Sequence, residues 1–213
     1  MNRLGVVLLG LSALAFVGYR FVLPRAWSQA ATSPLVLDGE PAQTPLEQPE
    51  SLTVTRDGRK YVIEKLFHYD ISGEVLSAST YDVTWTNDFA DVDLALLWGT
   101  RRAELKSRFK FSQMGRWLFW RTEEPVSDED RLEITRHISN NHLIPSETSA
   151  HLGSAFRMLR TGDEVRLTGW LVRIVGPGGE TLATSSTSRD DTGDGACEVV
   201  WVEQLQVGSR SFR

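Results

Sequence analysis

The run Asp91-Val92-Asp93-Leu94-Ala95-Leu96-Leu97-Trp98-Gly99 decides the fold class, because Val92, Leu94, Leu96 and Trp98 alternate with Asp91, Asp93, Ala95 and Leu97. Alternation of this kind puts one apolar face on a strand. Upstream, Tyr81, Val83 and Trp85 alternate with Asp82, Thr84 and Thr86, and residues 61–67 and 71–77 carry two further strands. Downstream, residues 116–121 are apolar on both faces, which predicts a covered strand. From Gly162 to Val175 the phase changes: Val165 and Leu167 set one face, Trp170, Val172 and Ile174 the other, and the glycine at 169 predicts a bulge there. Pro177-Gly178-Gly179 turns the chain into residues 181–186, and a last strand runs over about 196–207, which completes a three-strand meander.

Two segments read as helix. Ser127 with Asp130 opens the first, through about residue 138; Ser146 opens the second, in which Leu152, Ala155, Phe156 and Leu159 share a face until Thr161-Gly162 stops it. The expectation is an α+β domain over 51–210: a curved, mostly antiparallel sheet or small β-barrel, with two helices inserted before the C-terminal meander. By analogy alone, the pattern suits a five-stranded oligonucleotide-binding type of barrel.

Composition narrows the function classes. With 41% hydrophobic and 24% charged residues in 213, the chain buries a core and is not disordered throughout. A formal net charge of -5 leaves no electrostatic footprint for a phosphate backbone, so nucleic acid is disfavoured as a partner. The single cysteine excludes an internal disulfide and an all-cysteine zinc site.

Residues 1–25 form a membrane anchor or signal segment. Leu4 to Gly18 carry no charge, and Tyr19 with Phe21-Val22-Leu23 extend the apolar stretch to 4–23, enough to cross a bilayer if Arg20 snorkels. A cleavable signal ending at Ser28-Gln29-Ala30 is the other reading. Arg20 and Arg25 argue against export, whereas the acidic stretch that follows, with no basic residue before Arg56, favours it. The expected arrangement is a single-pass membrane protein with its C-terminal domain exported. Residues 26–50, holding Pro34, Pro41, Pro45 and Pro49, read as a Pro-rich acidic spacer, or else as an arm laid on the domain.

Cys197 is a nucleophile if a histidine stands beside it as base, with His142 the first candidate; otherwise it is a small apolar filler. The serine-histidine-glycine-cysteine signature of envelope transpeptidases is absent. Asp190, Thr192 and Asp194 before Gly195 resemble the first half of a calcium loop, but Trp201 stands where the bidentate carboxylate belongs, and a turn explains them as well. His137, His142 and His151 are not spaced for one helical face, which disfavours zinc. Asn140, Asn141 and His142 are expected in a link between the helices. Trp117, Phe119 and Trp120 beside Arg116 and Arg121 read as core, or as a stacking surface.

Five of these motifs occur in one order: Asp93 to Gly99, Phe111-Ser112-Gln113 with Gly115-Arg116-Trp117, Asn141-His142-Leu143-Ile144-Pro145, Gly169 with Leu171-Val172, and the block 188–198. Over about residues 60–207 the chain resembles an uncharacterised family of bacterial envelope proteins with a short N-terminal membrane segment. The resemblance implies a bacterial envelope address, a single-pass inner-membrane protein with its C-terminal domain in the periplasm, and no activity; Trp170 stands where it would imply tyrosine.

Three functional readings follow. The first is a membrane-anchored extracytoplasmic binding or assembly module, recognising another envelope protein or a cell-wall component through Asn141, His142, Arg116, Asp190, Thr192 and Asp194, with calcium the only cofactor suggested. The second is a cysteine-dependent hydrolase or transpeptidase using Cys197 and His142. The third is an oligonucleotide-binding barrel with a basic groove of Arg116, Arg121 and Arg166.

Overall fold

The computed structural model describes residues 27–81, 89–90, 92–188 and 197–213. The apolar stretch 4–23, most of the strand expected at 81–86, and Asp190, Thr192 and Asp194 lie outside the described residues. Among the described residues no helix is long and apolar enough to cross a membrane.

The protein is a β-rich α+β structure. In chain order its elements are β1 (Gln29–Ala30), β2 (Ala42–Arg56), β3 (Arg59–Thr80), β4 (Val92–Leu97), α1 (Arg102–Arg108), β5 (Lys110–Met114), β6 (Trp117–Arg121), α2 (Asp128–His137), β7 (Ile138–Pro145), α3 (Leu152–Met158), β8 (Glu164–Val175), β9 (Thr181–Thr184), β10 (Glu198–Val207) and β11 (Arg210–Phe212). The two expected helices are α2 and α3, and α2 opens with a capping box in which Ser127 and Asp130 satisfy each other's backbone N–H. The short helix α1 has no sequence signature of comparable strength: its N-cap, Arg101, makes no side-chain cap.

The two strands expected at 61–67 and 71–77 are one continuous strand of 22 residues, β3. The polar residues between them do not interrupt it because β8 pairs along the whole stretch. There Tyr69 turns into the core, and Asp70 accepts from Arg166 Nε at 2.7 Å. β3 pairs antiparallel with β2, β4 and β8; β4 pairs antiparallel with β7; β7 runs parallel to β10; and β10 returns antiparallel to β8. That last pairing bends part of the sheet into a ring of β3, β4, β7, β10 and β8, while β9 extends it from β8 and β11 from β10. The interior of a small ring is filled by side chains. Tyr69, Ile71, Leu94, Leu96, Leu143, Leu167 and Val200 fill it, and α3 adds Leu152 and Phe156.

The phase change in β8 has a different origin from the expected extra residue. Val165, Leu167 and Leu171 point into the ring, whereas Val172 and Ile174 pack in a second cluster with Val54, Ile63, Ile144 and Trp201. The strand thus passes from one core to another without a slip. The additional residues sit in its neighbours: Leu66 in β3 and Glu203 in β10 are skipped by the register. Gly169 lies opposite the β10 bulge, where a Cβ would stand 2.0 Å from the Trp201 carbonyl oxygen.

Residues 42–50 are not a free spacer. They form the first part of β2, an edge strand on β3, and the register breaks between Pro45 and Glu50. Proline is tolerated there because an edge strand leaves one row of N–H groups unused. Leu37 is buried and its carbonyl accepts from Gly99 N at 2.9 Å, so this stretch too is laid on the domain.

Substituting Gly169→Ala is expected to destabilise the fold by about 1–3 kcal/mol, since backbone rather than a pliable side chain stands in the way. Urea unfolding measures it; an unchanged midpoint contradicts the close crossing of β8 and β10.

Candidate functional site

The candidate site occupies the outer face of β4, β7 and β10. In register, Asp93 stands opposite His142, His142 opposite Val199, and Ala95 opposite Asn140. Cross-strand partners share a face, and so do residues two apart on a strand. Asp93, Asn140, His142 and Val199 therefore all face outward, with Cys197 at the entrance to β10, two residues before Val199. Along β7 the outward positions run Ile138, Asn140, His142, Ile144. Ile138 belongs to an apolar cluster with Leu97, Leu105 and Ile134, and Ile144 to the cluster around Trp201. The polar residues fill the seam between these two clusters.

The expected link at 140–142 is a central strand, because partners on both sides override the turn preference of asparagine. Neighbours on a strand point to opposite faces, and this separates the asparagines. Asn141 faces the ring interior, where it accepts from Tyr69 Oη at 3.2 Å and donates to Leu94 O at 3.0 Å. It ties the core together and takes no part in the site.

Asp93 is fully buried. An unpaired carboxylate there would cost several kcal/mol, and Asp93 Oδ1 is met from two sides: Arg116 Nη1 at 2.7 Å and His142 Nδ1 at 2.7 Å. Arg116 reaches it from the tip of the β5–β6 hairpin, where Gly115 and Arg116 both have positive φ, at 58° and 73°. For arginine that conformation costs on the order of 1 kcal/mol, less than the buried charge it neutralises. Arg116 also donates to the Ala90 carbonyl and lies 4.7 Å from the Tyr81 ring centroid. Burial raises the pKa of the Tyr81 phenol, whose oxygen accepts from Arg116 N at 3.2 Å.

With Nδ1 engaged by Asp93, the second ring nitrogen of His142 is available to Cys197, whose sulfur interacts with the imidazole. Burial is the largest single influence on the imidazole and pushes its pKa down. The hydrogen bond and charge of Asp93, with the neighbouring sulfur of Cys197, together outweigh it, holding His142 up at about 9 against an ordinary 6.5. Asn140 Nδ2 lies 3.5 Å from Cys197 Sγ and donates to Arg116 O at 2.8 Å, while its Oδ1 accepts from Gln113 Nε2 at 2.6 Å. Cys197 itself is only partly buried.

Of the residues singled out in the sequence, Cys197, His142 and Arg116 come together. Asp93 and Asn140 complete the group. Nothing in the sequence assigned a role to Asp93, although a carboxylate alternating with Leu94 and Leu96 in a strand buried on both faces was its signal. The other histidines go elsewhere: His137 Nδ1 lies 2.9 Å from Glu133 O, and His151 stacks on Trp27 with centroids 5.0 Å apart. Among the described residues no group of three or more His, Cys, Asp or Glu side chains is arranged to hold a metal ion. Arg166 is spent on Asp70 and Arg116 on Asp93, so neither is left to line a basic groove. The hairpin is a separate two-stranded sheet. Trp120 packs edge-on against Phe109 at 5.4 Å, whereas Trp117 and Phe119, expected in the core, are 41% and 45% exposed because nothing among the described residues covers the hairpin's outer side.

A cysteine beside a histidine that a carboxylate orients is a set of groups from which covalent acyl-transfer chemistry can be built. No protein family, curated protein or solved structure matches the chain.

His142 is expected to titrate near pH 9 by NMR, and Asp93→Asn or Cys197→Ala to lower its midpoint. Because the folded pKa is the higher one, the stability gained from protonating His142 is present in full below pH 6.5 and is lost as pH rises through about 9. A midpoint at or below 6.5 in the unsubstituted protein contradicts the described coupling.

Proposed function

We propose that the protein is a cysteine-dependent acyl-transfer enzyme, a hydrolase or transpeptidase, with Cys197 as nucleophile, His142 as acid and base, and Asp93 as the residue that orients His142. One observation carries this reading: the only cysteine of the chain, its sulfur 3.5 Å from Asn140 Nδ2, interacts with a histidine whose Nδ1 lies 2.7 Å from a buried carboxylate. A filler cysteine needs none of these partners. A cationic imidazole beside sulfur is the environment in which thiolates act as nucleophiles near neutral pH.

The thiolate attacks a carbonyl carbon, His142 delivers a proton to the departing oxygen or nitrogen, and the enzyme is left acylated on sulfur. Water or an amine, losing its proton to His142, then releases the acyl group. Asp93 takes no proton; it holds the ring with one nitrogen towards sulfur. The apolar stretch 4–23 supports an envelope address for this chemistry, with the domain tethered on the periplasmic face.

Native protein is expected to be alkylated at Cys197 by iodoacetamide at neutral pH, and His142→Ala to slow the reaction by about tenfold or more. A thiol as slow as free cysteine, or a rate indifferent to His142, overturns the enzyme reading and leaves the binding module. For the address, intact protein is expected in the inner-membrane fraction, with the domain open to protease from the periplasmic side. Recovery as a freely soluble cytoplasmic species contradicts it.

A further inference from the structure

We propose that the side-chain amide of Asn140 is a catalytic residue, the hydrogen-bond donor that stabilises the oxyanion formed when Cys197 attacks a carbonyl carbon. The assignment rests on the reading of Cys197 as nucleophile and names the group that completes its chemistry.

The orientation of the amide is determined by its neighbours. Arg116 O is a carbonyl and can only accept, so the group facing it at 2.8 Å is the NH2 of Asn140; Gln113 Nε2 meets the oxygen at 2.6 Å from the other side. One N–H of the amide is thus used by Arg116. The second points to Cys197 Sγ, 3.5 Å away. Holding the hairpin to the sheet requires the first of these bonds and not the second.

An oxyanion donor has to lie beside the attacking atom, as Asn140 Nδ2 does at 3.5 Å from Sγ, and has to be in place before charge appears. Asn140 meets both requirements: it is buried, carried on a central strand, and fixed at both ends of its amide. When Sγ bonds to the carbonyl carbon, the C=O π pair moves onto oxygen, and the Asn140 N–H that faced sulfur donates a hydrogen bond to that oxygen. As the pair returns, the bond to the leaving group breaks. His142 protonates the leaving group, and water later cleaves the thioester to give acid and free thiol.

Two probes separate this role from a structural one. Acylation by p-nitrophenyl acetate passes through an oxyanion; alkylation by iodoacetamide, a displacement at saturated carbon, does not. Asn140→Ala is expected to slow acylation about a hundredfold or more and to change alkylation by less than about threefold. Should Asn140→Ala fail to fold, Asn140→Asp, which keeps an acceptor for Gln113 and removes the donor, is expected to give the same split. Equal losses with both probes, or no loss with either, overturn the assignment. An unsubstituted protein that neither probe modifies overturns the nucleophile reading itself, and the assignment with it.

Discussion

A carboxylate withdrawn from water on a central strand governs how this side of the molecule is built. Asp93 cannot be accommodated among Leu94, Leu96 and Leu97 unless its charge is met, and the two groups that meet it come from distant parts of the chain. Arg116 arrives on a hairpin and His142 on the neighbouring strand. Each contact has a consequence beyond neutralisation. The first draws the hairpin tip onto the sheet, where Arg116 accepts a left-handed backbone conformation. The second sets which nitrogen of His142 is turned towards Cys197.

The seam position explains how polar groups survive here. On the outer face of β7, Ile138 and Ile144 are each absorbed by an apolar cluster, and Asn140 and His142 between them are screened without being sealed. Inside the ring the same strand presents Asn141 and Leu143, so one strand carries core residues on one face and the candidate site's residues on the other. His142, Asn140 and Asp93 all sit on strands held on both sides, which fixes their spacing to that of the sheet. Such pre-set geometry is what covalent catalysis asks for.

Much of the secondary structure was legible in the chain because it rests on local patterns. The alternation from Val92 to Leu97 marks a strand whatever surrounds it, and Ser127 with Asp130 signals a helix start by a contact three residues long. The misreadings occur where distant partners decide. Residues 42–50 look like a spacer until β3 offers an edge on which prolines are harmless. Asn140 to His142 look like a loop until β4 and β10 flank them. The phase change in β8 looks like a bulge until two separate cores are seen to share the strand. In the site, Cys197 and His142 could be picked out by residue type, as could Arg116 by its aromatic surroundings. Asp93 and Asn140 could not, since a carboxylate and an amide acquire meaning here only from what faces them across the sheet.

The sequence by itself therefore determined a strand-dominated α+β domain, two of the helices, the absence of an internal disulfide framework, and a cysteine and a histidine worth suspicion. Only the tertiary structure decided that these two residues meet, that a buried carboxylate and an amide join them, and that Asn141 belongs to the core. The reason is that strand periodicity is written in consecutive residues, whereas register between strands separated by dozens of residues arises from the sheet as a whole. A site assembled across three strands is a property of that register.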